Sequence, residues 1–230
     1  MSNVQTFNGF PYEAFDFLRD LARNNTTEWF NTHRGQYDEY VLEPSRLFVT
    51  ALGEKLRKIV PEINADPRVN RSLFRINRDT RFSPDKRPYK THAGILFWDG
   101  NGKRMETSGF YVHLEPDNVF LGVGMHMFPK TFMSTYRDYV AEKIHGAALR
   151  KAIDKVSASG PYEIGGQSYK RVPRGYDPSY EYADLLMYGG IWAGFHPPTV
   201  EAVYESGFTD FCMAHFTNML PLHVWLRKIA

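Results

Sequence analysis

Between Phe74 and His92 the chain reads FRINRDTRFSPDKRPYKTH, with four arginines and two lysines around two acids, Asp79 and Asp85. Guanidinium groups bring rigid forks of donors and ammonium groups bring point charges, which together suit phosphate or carboxylate better than a neutral ligand. Two acids cannot neutralise six cations at close range. Arg75, Arg78, Arg81, Lys86 and Lys90 are therefore the candidate anion ligands, with Asn77 and Tyr89 as secondary candidates. Asp79 and His92 are the nearest groups able to carry a proton to or from such a ligand. The competing reading is an Arg–Asp lattice that stiffens a long loop, helped by acids elsewhere such as Glu43, Asp66 or Glu115. A third reading is contact with the backbone of a nucleic acid.

Other residue patterns carry less. Lys170, Arg171 and Arg174 in YKRVPRGYDP form a second basic cluster, which either folds back beside Arg78 and Lys86 to complete one concave site or is a solvated loop. His92, His113 and His126 fall on neighbouring strand segments, but no H-x-H or H-E-x-x-H spacing fixes two of them on one face. No metal is assigned, and partly exposed sheet histidines are the plainer reading. Gly122–Gly124 is neither a P-loop nor a dinucleotide fingerprint; glycines in a strand mark a bulge or a close backbone approach. There is no G-x-S-x-G elbow to support a hydrolase triad. No cofactor is expected. Trp29 with Tyr12, Tyr37 and Tyr40 could wall a base, although helical aromatics more often pack a core.

The elements that must position these residues change period along the chain. A helix is expected from Phe10-Pro11 to Arg23, with Phe15, Leu18, Leu21 and Ala22 on its apolar stripe. Thr26 or Thr27 reads as the cap of the next helix. Pro44 is expected to restart a helix carrying Leu47, Phe48, Ala51, Leu52, Leu56 and Ile59. SLFRI reads as a short extended segment. The segments 92–98, 109–116 and 118–127 read as strands of an antiparallel meander, joined by turns at Asp99–Gly102 and Pro116–Asn118. Ser83-Pro84-Asp85-Lys86 favours a type I turn and Pro88 keeps Arg87 out of a helix. Residues 78–90 are thus a stiff loop, with Phe82 and Tyr89 as its expected anchors in the core. Helices return after Pro129, then a Gly/Pro-punctuated excursion, a strand at YGGIWAGF, and a helical pair from Pro198 to Leu226 interrupted at Gly207 and Pro221. The whole chain, residues 1–230, reads as a single α+β domain in which N-terminal and C-terminal helices flank a mainly antiparallel sheet built on the central meander.

Composition narrows the classes. Hydrophobic residues at 43% and charged residues at 23% fit an ordinary globular protein. A net charge of +2 argues against wholesale coating of nucleic acid and says nothing about a local patch. On the basic stretch itself, a small anionic molecule, phosphorylated by preference, is preferred to nucleic acid as the partner. Cys212 is the single cysteine, expected to be a buried inert thiol in a reducing compartment. The start MSNVQTFNGFPYEAF lacks a basic region followed by an apolar run, and no run approaches the roughly 18 apolar residues of a membrane span. No membrane partner and a cytoplasmic location are expected.

RNNTTEWF, RSLFRINRDTRFSPDKRPYKTHAGILF and KRVPRGYDP resemble the bacterial and fungal domain-of-unknown-function family 2461, over about Tyr12 to Leu226. The resemblance implies no established activity. It singles out Asn25, Trp29, Phe30, Arg75, Asn77, Arg78, Asp79, Arg81, Phe82, Lys86, Pro88, Tyr89 and Lys90 as the matched positions. Members of the family it resembles often carry a Gly-Gly-Gly-x-Tyr-x-Pro run after the last meander strand; here GVGMHMFP keeps two glycines and the proline and lacks the tyrosine.

Overall fold

The structure, a computed structural model, describes residues 6–197 and 201–229. Pro198, expected to open the last helical pair, lies outside the described residues. Helix α1 (Tyr12–Arg23) forms where Ala14, Phe15, Leu18 and Leu21 recur on one buried stripe, and Pro11 precedes it with an extended backbone. Thr26 caps α2 (Thr27–Thr32): its Oγ1 accepts the Trp29 N–H at 3.2 Å, a contact that contributes about 1 kcal/mol in such positions.

Pro44 does not restart a helix, as the sequence suggested, but sits inside a continuous one. A single turn α3 (Arg34–Gln36) runs into a π-helical segment, Tyr37–Leu42, and on into α4 (Glu43–Leu56) without leaving helical backbone. Proline has no N–H to give, and its ring crowds the carbonyl four residues earlier. A wider π turn just ahead of it relieves that crowding. Helix α4 then buries Phe48, Val49, Leu52 and Leu56.

The strands are β1 (Ala93–Trp98), β2 (Gly109–Glu115), β3 (Asn118–Met125), β4 (Glu163–Gln167) and β5 (Tyr188–Phe195), in the sheet order β1-β2-β3-β5-β4. The fold is α+β with an antiparallel sheet, as expected. Asp99–Gly102 begins a longer connection, closed where the Asp99 N–H reaches the Ser108 carbonyl at 3.1 Å. Gly124 holds φ at +134°, and a Cβ there would sit 2.3 Å from the Ile191 oxygen. That is the close backbone approach the sequence suggested. Helices α5 (Lys130–Ala141) and α6 (Lys143–Ala158) follow the meander, and α7 (Phe208–Leu226) runs through Pro221 uninterrupted. No described helix is long and apolar enough to cross a membrane.

The chain divides into two compact units. The first comprises the chain up to Phe97 with Tyr111–Phe120 and His196–Met213; the second comprises Trp98–Phe110, Leu121–Phe195 and the chain from Ala214 onward. In the first, Phe48 packs on Phe10 and Phe208 with ring centroids 5.4 and 5.3 Å away. Cys212 is fully buried there, and burial pushes its thiol up, away from the reactive thiolate. In the second, Phe110 meets Phe216 at 5.2 Å, and the buried Tyr136 hydroxyl donates to the Leu185 carbonyl at 2.8 Å.

Candidate functional site

The basic stretch is a closed loop on a short ladder. The Arg78 N–H reaches the Pro88 carbonyl and the Lys90 N–H the Ile76 carbonyl, both at 2.8 Å, with Asn77 opposite Tyr89 between them. Asn25 fastens the ladder to the helices. Its Nδ2 donates to the Tyr89 carbonyl and its Oδ1 accepts the Tyr89 N–H, both at 3.0 Å. The Tyr89 ring is buried against Phe30, centroids 4.1 Å apart. Phe82, the other expected anchor, is instead 93% exposed, with the Arg81 guanidinium 5.7 Å from its ring centroid.

Most cations of the loop are held by the loop itself. Asp79 accepts the Arg81 N–H at 3.2 Å and takes the Arg81 side chain at 2.9 and 2.7 Å. Asp85 does the same for Arg87 and also takes Arg78 Nη1 at 2.7 Å. Asp66 repeats the pattern with Arg68. In each case a carboxylate closes a local turn onto the residue two positions on, and that arginine folds back over it. Hydrogen bonds from Arg81, side chain first, hold Asp79 down to about 2, and the Arg87 and Arg78 contacts hold Asp85 well below its usual range. Asp79 is therefore held as an anion near neutral pH, paired with Arg81. Lys86 donates to the Thr80 carbonyl and Lys90 to the Arg75 carbonyl, each at 2.9 Å. Arg75 is exposed, and no hydrogen bond or ion pair of its guanidinium occurs among the described residues. The acids expected to help are engaged elsewhere: Glu43 with Arg46, Asp66 with Arg68 and Arg71, Glu115 with His113.

Beyond the ladder the chain enters β1, where the bridge Leu73↔Ile95 ties it down. A small pocket opens here, lined by Tyr37, Ser45, Phe74, Ile76, His92 and Ile95 among others. The π-helical segment supplies Tyr37 to its wall. The Lys90 ammonium lies 5.2 Å from the Phe74 ring centroid, so a positive charge stands beside a lining residue. His92 faces His113, ring centroids 4.2 Å apart. Burial first, then His113 and Lys90, push His92 down to about 4, which leaves a neutral imidazole at neutral pH.

Strand β2 adds residues that the sequence reading did not assign to a site. Its alternation buries Phe110, Val112 and Leu114 and leaves Tyr111, His113 and Glu115 half-covered. The Tyr111 hydroxyl meets His113 Nδ1 at 2.9 Å, and His113 Nε2 meets Glu115 Oε1 at 2.9 Å. Gly94 makes room for that hydroxyl: a Cβ there would lie 2.8 Å from it. His126 does not join this group.

Lys170, Arg171 and Arg174 are exposed residues of the second unit, while Arg78 and Lys86 belong to the first. Also in the second unit, Ser108 Oγ lies 2.8 Å from His223 Nδ1, and His223 Nε2 lies 3.5 Å from Asp99 Oδ2, which Arg227 also contacts. This superficially resembles a nucleophile triad. The ring is reversed relative to one, because the hydroxyl meets Nδ1 and the carboxylate side meets Nε2. All three residues are also buried, His223 completely, so no substrate carbonyl can reach the hydroxyl. It is a structural network. Trp29, Tyr12 and Tyr37 do not gather into a base-stacking wall: Trp29 stacks on His33, Tyr12 on Tyr204, and Tyr37 is buried.

A family model described as a conserved hypothetical protein, DUF2461, matches residues 13–225. No curated protein matches the chain.

Proposed function

Since the chain belongs to the DUF2461 family of conserved hypothetical proteins, whose description names no activity, we propose from the site alone that it binds a small anionic molecule bearing phosphate or carboxylate at the pocket beside His92. The observation that carries this reading is the Lys90 ammonium set against Phe74, a wall of the pocket that His92 also lines. Arg75, exposed and with no hydrogen bond or ion pair of its guanidinium among the described residues, is the second charge in this reading. Neutral His92 can donate or accept one hydrogen bond at the bound group.

The anion site and the lattice then divide the stretch between them. Arg78, Arg81 and Arg87 spend their donors on Asp85 and Asp79 and give the loop its shape. Lys86 secures the Thr80 turn. In this reading Lys90, which also donates to the Arg75 carbonyl, and Arg75 are the cations that meet the ligand. Asp79 is the partner of Arg81, and His92 is the group to which this reading assigns proton traffic.

Calorimetry with inorganic phosphate, pyrophosphate and citrate at low ionic strength tests the division. Hydrogen bonds to charged groups contribute about 1.5–3 kcal/mol each. Arg75→Ala and Lys90→Ala should therefore each weaken the tightest of the three probes by roughly 10- to 100-fold, while Arg81→Ala leaves affinity within about twofold. Equal losses in Arg81→Ala and Arg75→Ala would return the site to the loop. No binding of any probe by the parent protein would remove the anion reading.

A further inference from the structure

Three potential ligands converge on the half-covered face of β1 and β2. One atom each of His92, His113 and Glu115 lie within 4.8 Å of one another, and all three side chains are half-buried. The two imidazole planes are inclined by 31° with centroids 4.2 Å apart. A hydrogen-bonded relay accounts for part of this: Tyr111, His113 and Glu115 satisfy one another at 2.9 Å. It does not account for His92, whose ring receives no hydrogen bond or ion pair among the described residues. A half-buried imidazole with neither, facing an imidazole and a carboxylate, has ring nitrogen to offer a further ligand.

We propose that His92, His113 and Glu115 form a binding site for a divalent cation of borderline hardness, Zn2+ or Fe2+. Two imidazole nitrogens and one carboxylate oxygen, with no sulfur, are the donor set such ions take, whereas Mg2+ and Ca2+ favour all-oxygen sites. With the Tyr111 hydroxyl donating to Nδ1 of His113, the ring proton sits on Nε2 against Glu115. Cation binding takes the other tautomer: the Nε2–H bond is lost, an Nδ1–H bond forms and donates to the Tyr111 oxygen, the Nε2 lone pair meets the cation, and neither a net proton nor an electron is lost. Metal bonds of about 2.0–2.1 Å space tetrahedral donors by roughly 3.3 Å. The widest pair must close by no more than about 1.5 Å and the His113–Glu115 pair must open slightly, both within reach of side-chain rotation. Tyr111 then does what an outer partner of a metal-bound histidine does, fixing the tautomer and the ring plane. Three protein donors leave a fourth position for water or an incoming oxygen ligand. The site goes beyond the anion reading and needs neither Arg75 nor Lys90.

The test uses untagged, chelator-stripped protein in buffer free of phosphate and carboxylates. Zn2+ is added by equilibrium dialysis and counted by elemental mass spectrometry, and Co2+ is followed by its visible absorption. About one ion per chain is expected. His92→Asn and His113→Asn should each weaken binding at least 10-fold, Tyr111→Phe about 10-fold, and His126→Asn not at all. As a check independent of any variant, the ring-nitrogen resonances of His92 and His113 in the intact protein should shift together on Zn2+ titration. Sub-stoichiometric binding, binding unchanged in both His92→Asn and His113→Asn, or unmoved ring resonances would overturn the proposal. Because the probe is the metal alone, a protein that binds Zn2+ and ignores pyrophosphate sinks the anion reading only, and the reverse result sinks this one only.

Discussion

Tyr89→Ala is expected to cost about 3–5 kcal/mol of folding stability, the range for truncating a buried aromatic ring. Phe82→Ala, in the same stretch, is expected to leave stability unchanged within the error of a urea titration. The ring of Tyr89 is 5% exposed and stacks on Phe30, while that of Phe82 is 93% exposed. Tyr89 also fixes the ladder on which Arg75 and Lys90 sit, because its N–H and carbonyl both engage Asn25. Asn25→Ala should therefore follow the same direction, since two part-buried backbone groups lose their partner at about 1–3 kcal/mol each. A Phe82→Ala loss comparable to that of Tyr89→Ala would mean that the exposed ring packs where the structure does not place it.

The class of fold was legible because its signals are local. Strand β2 alternates between buried and half-covered residues one by one, and α1 repeats its apolar residues at helical spacing. Pro44 misled because a proline reads as a helix start when the backbone can also widen ahead of it and carry on. The fate of the loop arginines was partly written in the sequence. Asp66-x-Arg68, Asp79-x-Arg81 and Asp85-x-Arg87 share one spacing, and each folds into the same carboxylate-closed turn. Counting charges across the whole stretch hid this, because a carboxylate that is hydrogen-bonded twice by one arginine claims more than one donor. The His92–His113–Glu115 group was legible by half. His113 and Glu115 two apart on a strand must share a face, but the partner of that pair is set by the register of β1 against β2, which no spacing within one strand encodes. His113 could as readily have been paired with His126 on paper.

Acidification from pH 7 to 4 is expected to destabilise the protein by several kcal/mol, with His223 as a main contributor. Burial, and then the charge of Arg227, push His223 down to about 3. An unfolded histidine titrates near 6.5. Between those values the unfolded chain binds a proton that the folded one refuses, so stability falls as pH falls through that window and is constant above it. The full span corresponds to about 4–5 kcal/mol. His223 is enclosed by Ser108, Asp99, Arg227 and the Phe110 ring, so it cannot swing to water without opening the end of α7. His92 and His215 are also pushed down by burial and share the wild-type slope. The difference between wild type and His223→Gln isolates the buried group. At pH 7 the variant should be less stable, because Ser108 loses its partner; as pH falls toward 4 the two curves should converge. Carboxylates held by arginines, Asp79 among them, add their loss only below about pH 4, because their pKa values are depressed and their contribution is complete above the unfolded value. Urea titrations at half-unit pH steps separate the two windows. A wild-type-minus-variant difference that stays constant from pH 7 to 4 would show that the His223 ring takes up its proton inside the folded protein, and that the Ser108–His223–Asp99 network is open to solvent after all.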